Sequence, residues 1–140
     1  MDKLNIFATA INCIDGRAQL PVSDWLRLHT GADYVDTITE PGANEILSND
    51  KSKHYFRVFE KLKLSINAHQ PRVIAVAGHY DCLANPVSFE THIAQIKKGA
   101  DRLDSLNMGI RIVGLYVNEW GAVDLVFDST SGHREMRSFL

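Results

Sequence analysis

Two cysteines and one histidine have the residue types and the spacing of metal ligands. Cys13 and Cys82 are the two cysteines of this 140-residue chain, and His79 precedes Cys82 by three residues. Two thiolates and one imidazole supply three ligands for zinc and leave a fourth position open, whereas structural zinc sites are normally closed by four protein ligands. An open position therefore indicates catalysis. The same cysteines could instead form a disulfide or remain buried, unreactive thiols.

A carboxylate and a guanidinium group follow the first cysteine at alternate positions. The segment reads Cys13-Ile14-Asp15-Gly16-Arg17, and in an extended turn Asp15 could reach toward a metal ion held by Cys13. Arg17 could hold the same carboxylate in a bidentate ion pair. Two alternatives follow. Either Asp15 binds the metal and closes the site, or it pairs with Arg17 and accepts a hydrogen bond from a metal-bound water.

The elements that must position these residues alternate between strands and helices. Short apolar runs rich in β-forming residues predict strands, and amphipathic patterns bounded by Pro and Gly predict helices. The predicted strands cover residues 4–11, 34–39, 73–77, 110–117 and 123–127, and the predicted helices cover residues 21–28, 50–69 and 86–103. Pro21 is placed in the first turn of the first helix, which ends near Gly31.

This alternation predicts an α/β fold with a mainly parallel sheet covered by helices on both faces. We expect the strand order 2-1-3-4, with an antiparallel fifth strand that forms a hairpin with the fourth. Cys13 follows the first strand, while His79 and Cys82 follow the third. In such sheets ligands bind beyond the carboxyl ends of the strands, where the strand order reverses. We therefore expect the three side chains to converge there.

The two motifs together resemble the signature of the β-class carbonic anhydrases. Cys13-x-Asp15-x-Arg17 is followed roughly 60 residues later by His79-x-x-Cys82, and the order of strands and helices extends the resemblance over roughly residues 4–127. The resemblance implies that Cys13, His79 and Cys82 bind Zn²⁺ and that the Asp15–Arg17 pair controls the fourth coordination position. The implied activity is that of a carbonate dehydratase, which hydrates carbon dioxide reversibly to bicarbonate with a zinc-bound hydroxide as nucleophile. A homodimer or higher homo-oligomer is also implied.

One residue departs from the family pattern beside the second cysteine. The family usually has glycine there, and this chain has Leu83. The larger side chain favours two alternatives: a zinc-binding protein without hydratase activity that keeps the site for folding or sensing, or a hydrolase of a related substrate such as COS or CS₂. A thiol redox protein is a third alternative, but the cysteines do not form the Cys-x-x-Cys pair typical of that class.

The composition excludes several other classes. The chain is 45% hydrophobic and 23% charged with a net charge of −2, which is typical of one globular domain, expected over residues 1–140. There is no basic excess for binding nucleic acid, and no apolar run approaches the ~20 residues of a membrane span. The first residues lack the pattern of a signal peptide, so we expect a cytoplasmic protein.

Structural roles are expected for the remaining polar and aromatic residues. Asp81 is interpreted as a helix start or a solvated acid, and Asn44 either hydrogen-bonds near the site or belongs to a turn. Trp25 and Trp120 are expected to pack against other residues. The other histidines are expected at the surface: His29, His54, His69, His92 and His133.

Overall fold

A computed structural model describes residues 5–130 of the chain. These residues contain five strands: β1 (Phe7–Asn12), β2 (Tyr34–Thr39), β3 (Val73–His79), β4 (Arg111–Val117) and β5 (Val123–Asp128). They also contain four helices: α1 (Gly16–Thr30), α2 (Ala43–Ser48), α3 (Tyr55–His69) and α4 (Phe89–Asp104). None of these helices has the length and the apolar character needed to cross a membrane. His133 and both ends of the predicted domain lie outside the described residues, so a single domain over residues 1–140 stays a prediction.

The five strands form one sheet in the order β2-β1-β3-β4-β5. β1 pairs parallel with β2 and with β3, and β3 pairs parallel with β4, whereas β5 runs antiparallel to β4. Parallel neighbours need a crossover connection, and helices supply it. The prediction of an α/β fold with the order 2-1-3-4 and an antiparallel fifth strand is confirmed.

Helices cover both faces of the sheet. Val22 and Leu26 of α1 pack on one face, and the other face is covered by Leu47 of α2, Leu62 of α3 and Leu103 of α4. Strand β3 is buried along its whole length, as expected for the middle strand of a parallel sheet. The strand ends near the middle of the sheet are therefore held by packing on both sides.

The first helix is longer than the sequence predicts. α1 begins at Gly16, because the Asp15 side chain caps it by accepting a hydrogen bond from the backbone N–H of Arg17. Pro21 therefore lies inside the helix, where it removes one backbone hydrogen bond; its predicted place in the first turn is wrong. The predicted end is correct, since Gly31 follows the last helical residue in the left-handed conformation with φ 74°.

Three other elements differ from the prediction: α2, α3 and β3. The sequence pattern predicts no helix over α2, because six residues are too few to show a helical period. The helix predicted over residues 50–69 begins only at Tyr55. Strand β3 continues two residues past its predicted end, so His79 is its last residue rather than part of the following loop.

Candidate metal centre

Cys13, His79 and Cys82 come together at the carboxyl ends of β1 and β3. One possible ligand atom from each lies within 4.8 Å of the others, and the two sulfur atoms are 3.9 Å apart. The three residues are 5%, 1% and 4% exposed, respectively. The strand register explains this, because Ile11 of β1 lies opposite Val76 of the parallel neighbour β3, and both strands leave the sheet at the same edge.

The ring of His79 is held in the tautomer that a metal ligand needs. Its Nδ1 lies 2.7 Å from the carbonyl oxygen of Tyr80. Because a carbonyl oxygen can only accept, Nδ1 carries the proton and Nε2 has a free lone pair. Within residues 5–130, this buried Nε2 has no hydrogen-bond partner. A buried, unpartnered nitrogen beside two thiols fits a metal ion, and a hydrogen bond from the second ring nitrogen is usual for histidine ligands.

Both cysteines are free thiols, and the surroundings of Cys82 disfavour its ionised form. Burial raises the pKa of Cys82 and the neighbouring Cys13 raises it further, whereas the backbone N–H groups of Asn85 and Ala84 lower it. Binding of a cation would reverse this balance, because a metal ligand is bound as the thiolate. Two thiols and one imidazole form a donor set that suits zinc.

The carboxylate of Asp15 is paired with Arg17. Arg17 donates to it from Nε at 3.0 Å, from Nη2 at 2.7 Å and from the backbone nitrogen at 2.9 Å. The side-chain hydrogen bonds hold the pKa of Asp15 well below its usual range and raise the pKa of Arg17. The pair forms at the start of α1 and not in the extended turn expected from the sequence, because Gly16 is already helical. The pairing of Asp15 with Arg17 is thus observed, and its control of a fourth coordination position stays a prediction.

Arg17 also contacts the segment between the other two candidate ligands. Its Nη1 donates to the Tyr80 hydroxyl and to the Asp81 carboxylate, each at 3.3 Å, and its Nη2 donates to the Asp81 carbonyl at 3.2 Å. The guanidinium carbon lies 5.1 Å from the centre of the Tyr80 ring, within the range of a cation–π contact. Tyr80 is not predicted from the sequence, although an aromatic residue beside His79 is a usable signal. Asp81 lies in a loop with φ 54° and its side chain is 61% exposed, so of its two interpretations the helix start is wrong and the solvated acid is confirmed.

A buried asparagine anchors the segment that carries Cys13. The Oδ1 of Asn12 accepts from the backbone N–H of Cys13 at 2.9 Å, and its Nδ2 donates to the carbonyl of Ala18 at 3.0 Å. Gln19 donates to the carbonyl of Cys13. Asn12 is 1% exposed. It is also not predicted from the sequence, where its signal is a polar residue that ends an apolar strand just before a candidate ligand.

A cleft of about 280 Å³ opens beside the two cysteines. Its lining residues are Cys13, Ile14, Asp15, Pro41, Cys82, Leu83 and Ala84. Apolar side chains stand at its edge, since Ile14 is 59% exposed and Leu83 is 89% exposed. The cleft therefore gives a small, uncharged molecule a route to the thiols and to the one carboxylate in this lining.

Two expectations about other residues are wrong, those for His92 and Trp120. His92 is buried rather than at the surface, because it packs toward Asn44, whose Nδ2 lies 3.3 Å from its Nδ1. Burial lowers the pKa of His92. Trp120 is 82% exposed rather than packed. Of the two alternatives for Asn44, the structure has the hydrogen bonds near the site, since the residue belongs to α2 and not to a turn. Three histidines are exposed or partly exposed, as expected: His29, His54 and His69.

Comparison with known proteins gives one family and one fold. The family model described as "Putative carbonic anhydrase" matches residues 3–127, and no curated protein sequence matches the chain. The β-carbonic anhydrase isoform I of Trichomonas vaginalis aligns with a TM-score of 0.56 at 18% identity, over 91% of this chain and 88% of that chain. The β-carbonic anhydrase CafA of Aspergillus fumigatus aligns with a TM-score of 0.59 at 12% identity, over 94% and 79% of the two chains. One of two tetrameric β-carbonic anhydrases of Sordaria macrospora aligns with a TM-score of 0.54 at 12% identity, over 89% and 81%.

Proposed function

This chain belongs to the carbonic anhydrase family as a divergent β-class member, and from that premise we propose that it is a zinc-dependent carbonate dehydratase, which hydrates carbon dioxide reversibly to bicarbonate. The proposed zinc ligands are Cys13, His79 and Cys82, and the proposed catalytic pair is Asp15 and Arg17. One observation carries the proposal: the buried Nε2 of His79, without a hydrogen-bond partner in the described part of the chain, lies beside two buried thiols.

The donor set matches the chemistry that carbon dioxide hydration requires. Zinc with three protein ligands is a Lewis acid that lowers the pKa of a coordinated water to about 7. Two thiolates and a neutral imidazole are ligands of the type zinc prefers, and the hydrogen bond from His79 to the Tyr80 carbonyl fixes the ring so that Nε2 stays available. Burial of all three side chains keeps bulk water from competing for the ligand atoms.

Asp15 and Arg17 are proposed to orient the reacting water. Asp15 lines the same cleft as both cysteines, and its pairing with Arg17 keeps it ionised. An ionised carboxylate accepts hydrogen bonds but cannot donate one, so it can fix the direction of an O–H bond in the cleft. Arg17 occupies both carboxylate oxygens, which holds Asp15 in place and disfavours its use as a fourth ligand.

Hydrolysis of COS or CS₂ is a second candidate function, which the apolar edge of the cleft favours. Leu83, where the family usually has glycine, is 89% exposed, and Ile14 is 59% exposed. Both molecules are linear and uncharged like carbon dioxide but larger and more apolar. An edge of two aliphatic side chains suits them at least as well.

We also propose that the protein forms a homodimer or a higher homo-oligomer. The tetrameric relative from Sordaria macrospora supports this, and so do large apolar side chains left in solvent, such as Leu20 at 66% and Leu28 at 81% exposed. Light scattering at several protein concentrations tests the proposal, and a mass of one chain at all of them would refute it. A cytoplasmic location stays a prediction.

Stopped-flow measurement of carbon dioxide hydration tests the main proposal. Zinc-loaded wild-type protein and His29→Ala, which changes an exposed histidine, are expected to exceed free zinc in the same buffer, near neutral and at mildly alkaline pH. His79→Ala is expected to fall to the level of free zinc, because it removes a ligand. A wild-type rate no better than free zinc overturns the proposal.

Elemental analysis then separates a zinc-binding protein without activity from a metal-free thiol protein. Assays with COS and CS₂ as substrates test the second candidate function.

A further inference from the structure

Three side-chain amides form a hydrogen-bonded cluster next to the candidate metal centre. The Oε1 of Gln95 accepts from the Nδ2 of Asn85 at 2.7 Å and from the Nδ2 of Asn44 at 3.1 Å. Asn44 and Asn85 are 2% and 3% exposed. The three residues come from α2, from the loop after β3 and from α4. We refer to them as the amide cluster, and the proposed reaction does not use any of them directly.

Asn85 belongs to the short loop that carries Cys82. Its backbone N–H donates to the carbonyl of Cys82 at 3.2 Å. A shift of Asn85 would therefore disturb the backbone of Cys82. The hydrogen bond from the Asn85 side chain to Gln95 anchors this loop to α4.

Asn44 packs against the strand that carries His79. A Cβ atom at Gly78, the residue before His79, would lie only 3.3 Å from the Cγ of Asn44, so the absence of a side chain lets Asn44 approach the strand. Gly42, just before α2, is placed in the same way against the loop, since a Cβ atom there would lie 3.3 Å from the Cβ of Asn85. The start of α2 thus contacts both segments that carry candidate ligands.

We propose that Gln95 is a positioning residue of the metal centre, because its side-chain oxygen links the loop of Cys82 to the side chain that packs on the His79 strand. This inference rests on the proposed zinc site. A carbonyl oxygen has two lone pairs, so one Gln95 can accept from both asparagines. Without it, the buried Asn85 amide would lose its acceptor, and an unsatisfied buried donor is costly enough to shift a loop.

Zinc affinity and a cobalt spectrum test this role in the full chain. Gln95→Met removes the acceptor at similar side-chain length, Gln95→Glu keeps an acceptor oxygen, and Lys97→Met makes the same kind of change at an exposed position of α4. Zinc dissociation constants come from competition with a chelating dye. The absorption bands of cobalt(II) bound in place of zinc report the geometry of the ligands. We expect Gln95→Met to bind zinc about tenfold more weakly with shifted cobalt bands, at the low end of the roughly 10–100-fold effects of residues that orient metal ligands.

The controls separate this role from a general loss of stability. Gln95→Glu and Lys97→Met are expected to match the wild type in zinc affinity and in cobalt spectrum. Wild-type affinity and spectrum in Gln95→Met would overturn the positioning role while leaving the zinc site intact. If Gln95→Met does not fold, Asn85→Ala decides the matter, since it removes one donor of the amide cluster, and unchanged binding by it overturns the role. A wild-type protein that binds no zinc overturns the proposed function and this inference together.

Discussion

Arg17 donates from Nε and Nη2 to the two carboxylate oxygens of Asp15, at 3.0 and 2.7 Å. The remaining nitrogen, Nη1, donates to Tyr80 and Asp81, which lie between His79 and Cys82 in the sequence. The planar guanidinium group of Arg17 therefore joins the segment that follows Cys13 to the segment between His79 and Cys82. Lysine has the same charge but a single nitrogen and no fork, so it cannot make this set of bonds.

We predict that Arg17→Lys lowers the rate of carbon dioxide hydration about 10- to 100-fold while zinc stays bound, because Asp15 loses its fixed orientation and the ligands do not change. Stopped-flow kinetics and zinc content, measured on the same samples, check this. The matched control is Arg27→Lys at an exposed position of α1, which should keep the wild-type rate. Loss of zinc from Arg17→Lys would instead indicate that the arginine supports the ligand loops themselves.

Zinc is predicted to stabilise the fold. A ligand that binds only the folded state adds about 2.7 kcal/mol at 100 times its Kd, which is roughly 10 °C in Tm for a chain of this size. A chelator should remove this gain from the wild type and from His29→Ala, whereas His79→Ala should unfold at the same temperature with and without zinc. Thermal unfolding followed by circular dichroism measures the shifts. An equal zinc-dependent shift in His79→Ala would show that zinc binds elsewhere.

The convergence of Cys13, His79 and Cys82 could be predicted because it depends on backbone topology alone. β1 and β3 are apolar runs that the sequence shows clearly, and parallel strands end at the same edge of a sheet. Any residue just past those two ends is brought near the others. The fold and the position of the candidate site both follow from this regularity.

The contacts that complete the site could not be predicted in the same way. Arg17 and Tyr80 are 63 positions apart, and their contact depends on side-chain rotamers and on the early start of α1. His92 is a polar residue on α4, where the amphipathic pattern predicts exposure, and Asn44 lies on α2, which is too short to show a helical period. Both are buried because their side chains hydrogen-bond to each other, and such a pair cannot be recognised from the spacing of apolar residues.

Acid is predicted to weaken the pair that joins β4 to β5. Arg111 donates to Asp128 from Nε at 3.0 Å and from Nη2 at 2.7 Å. Burial raises the pKa of Asp128, but the hydrogen bonds from Arg111 and Thr130 outweigh it, and the pKa lies below its usual value. Since the folded-state pKa is below the unfolded value of about 3.9, the pair stabilises the fold above that pH, and this contribution is lost as the pH falls through the folded-state pKa.

Asp128→Asn should therefore lower the free energy of unfolding at neutral pH by about 1–3 kcal/mol and have a smaller effect below about pH 4. Urea unfolding at a series of pH values measures both effects. Asp124→Asn is the matched control, because Asp124 is exposed on the same strand, and its change at neutral pH should stay within about 0.5 kcal/mol. A constant difference between wild type and Asp128→Asn at all pH values would contradict the prediction.

Two glycine substitutions are predicted to have opposite effects on stability. A Cβ atom at Gly114 would lie 2.8 Å from the Cγ2 of Ile96 and 3.0 Å from the Cβ of Phe127, and Ile96 is fully buried. Gly114→Ala should therefore cost about 1–3 kcal/mol through overpacking. No atom lies within 4 Å of a Cβ atom at Gly16, the first residue of α1, so Gly16→Ala should gain about 0.4–1 kcal/mol by restricting the unfolded chain. Urea unfolding midpoints at a constant m-value test both, and a loss in both variants would show that the start of α1 does not tolerate a side chain.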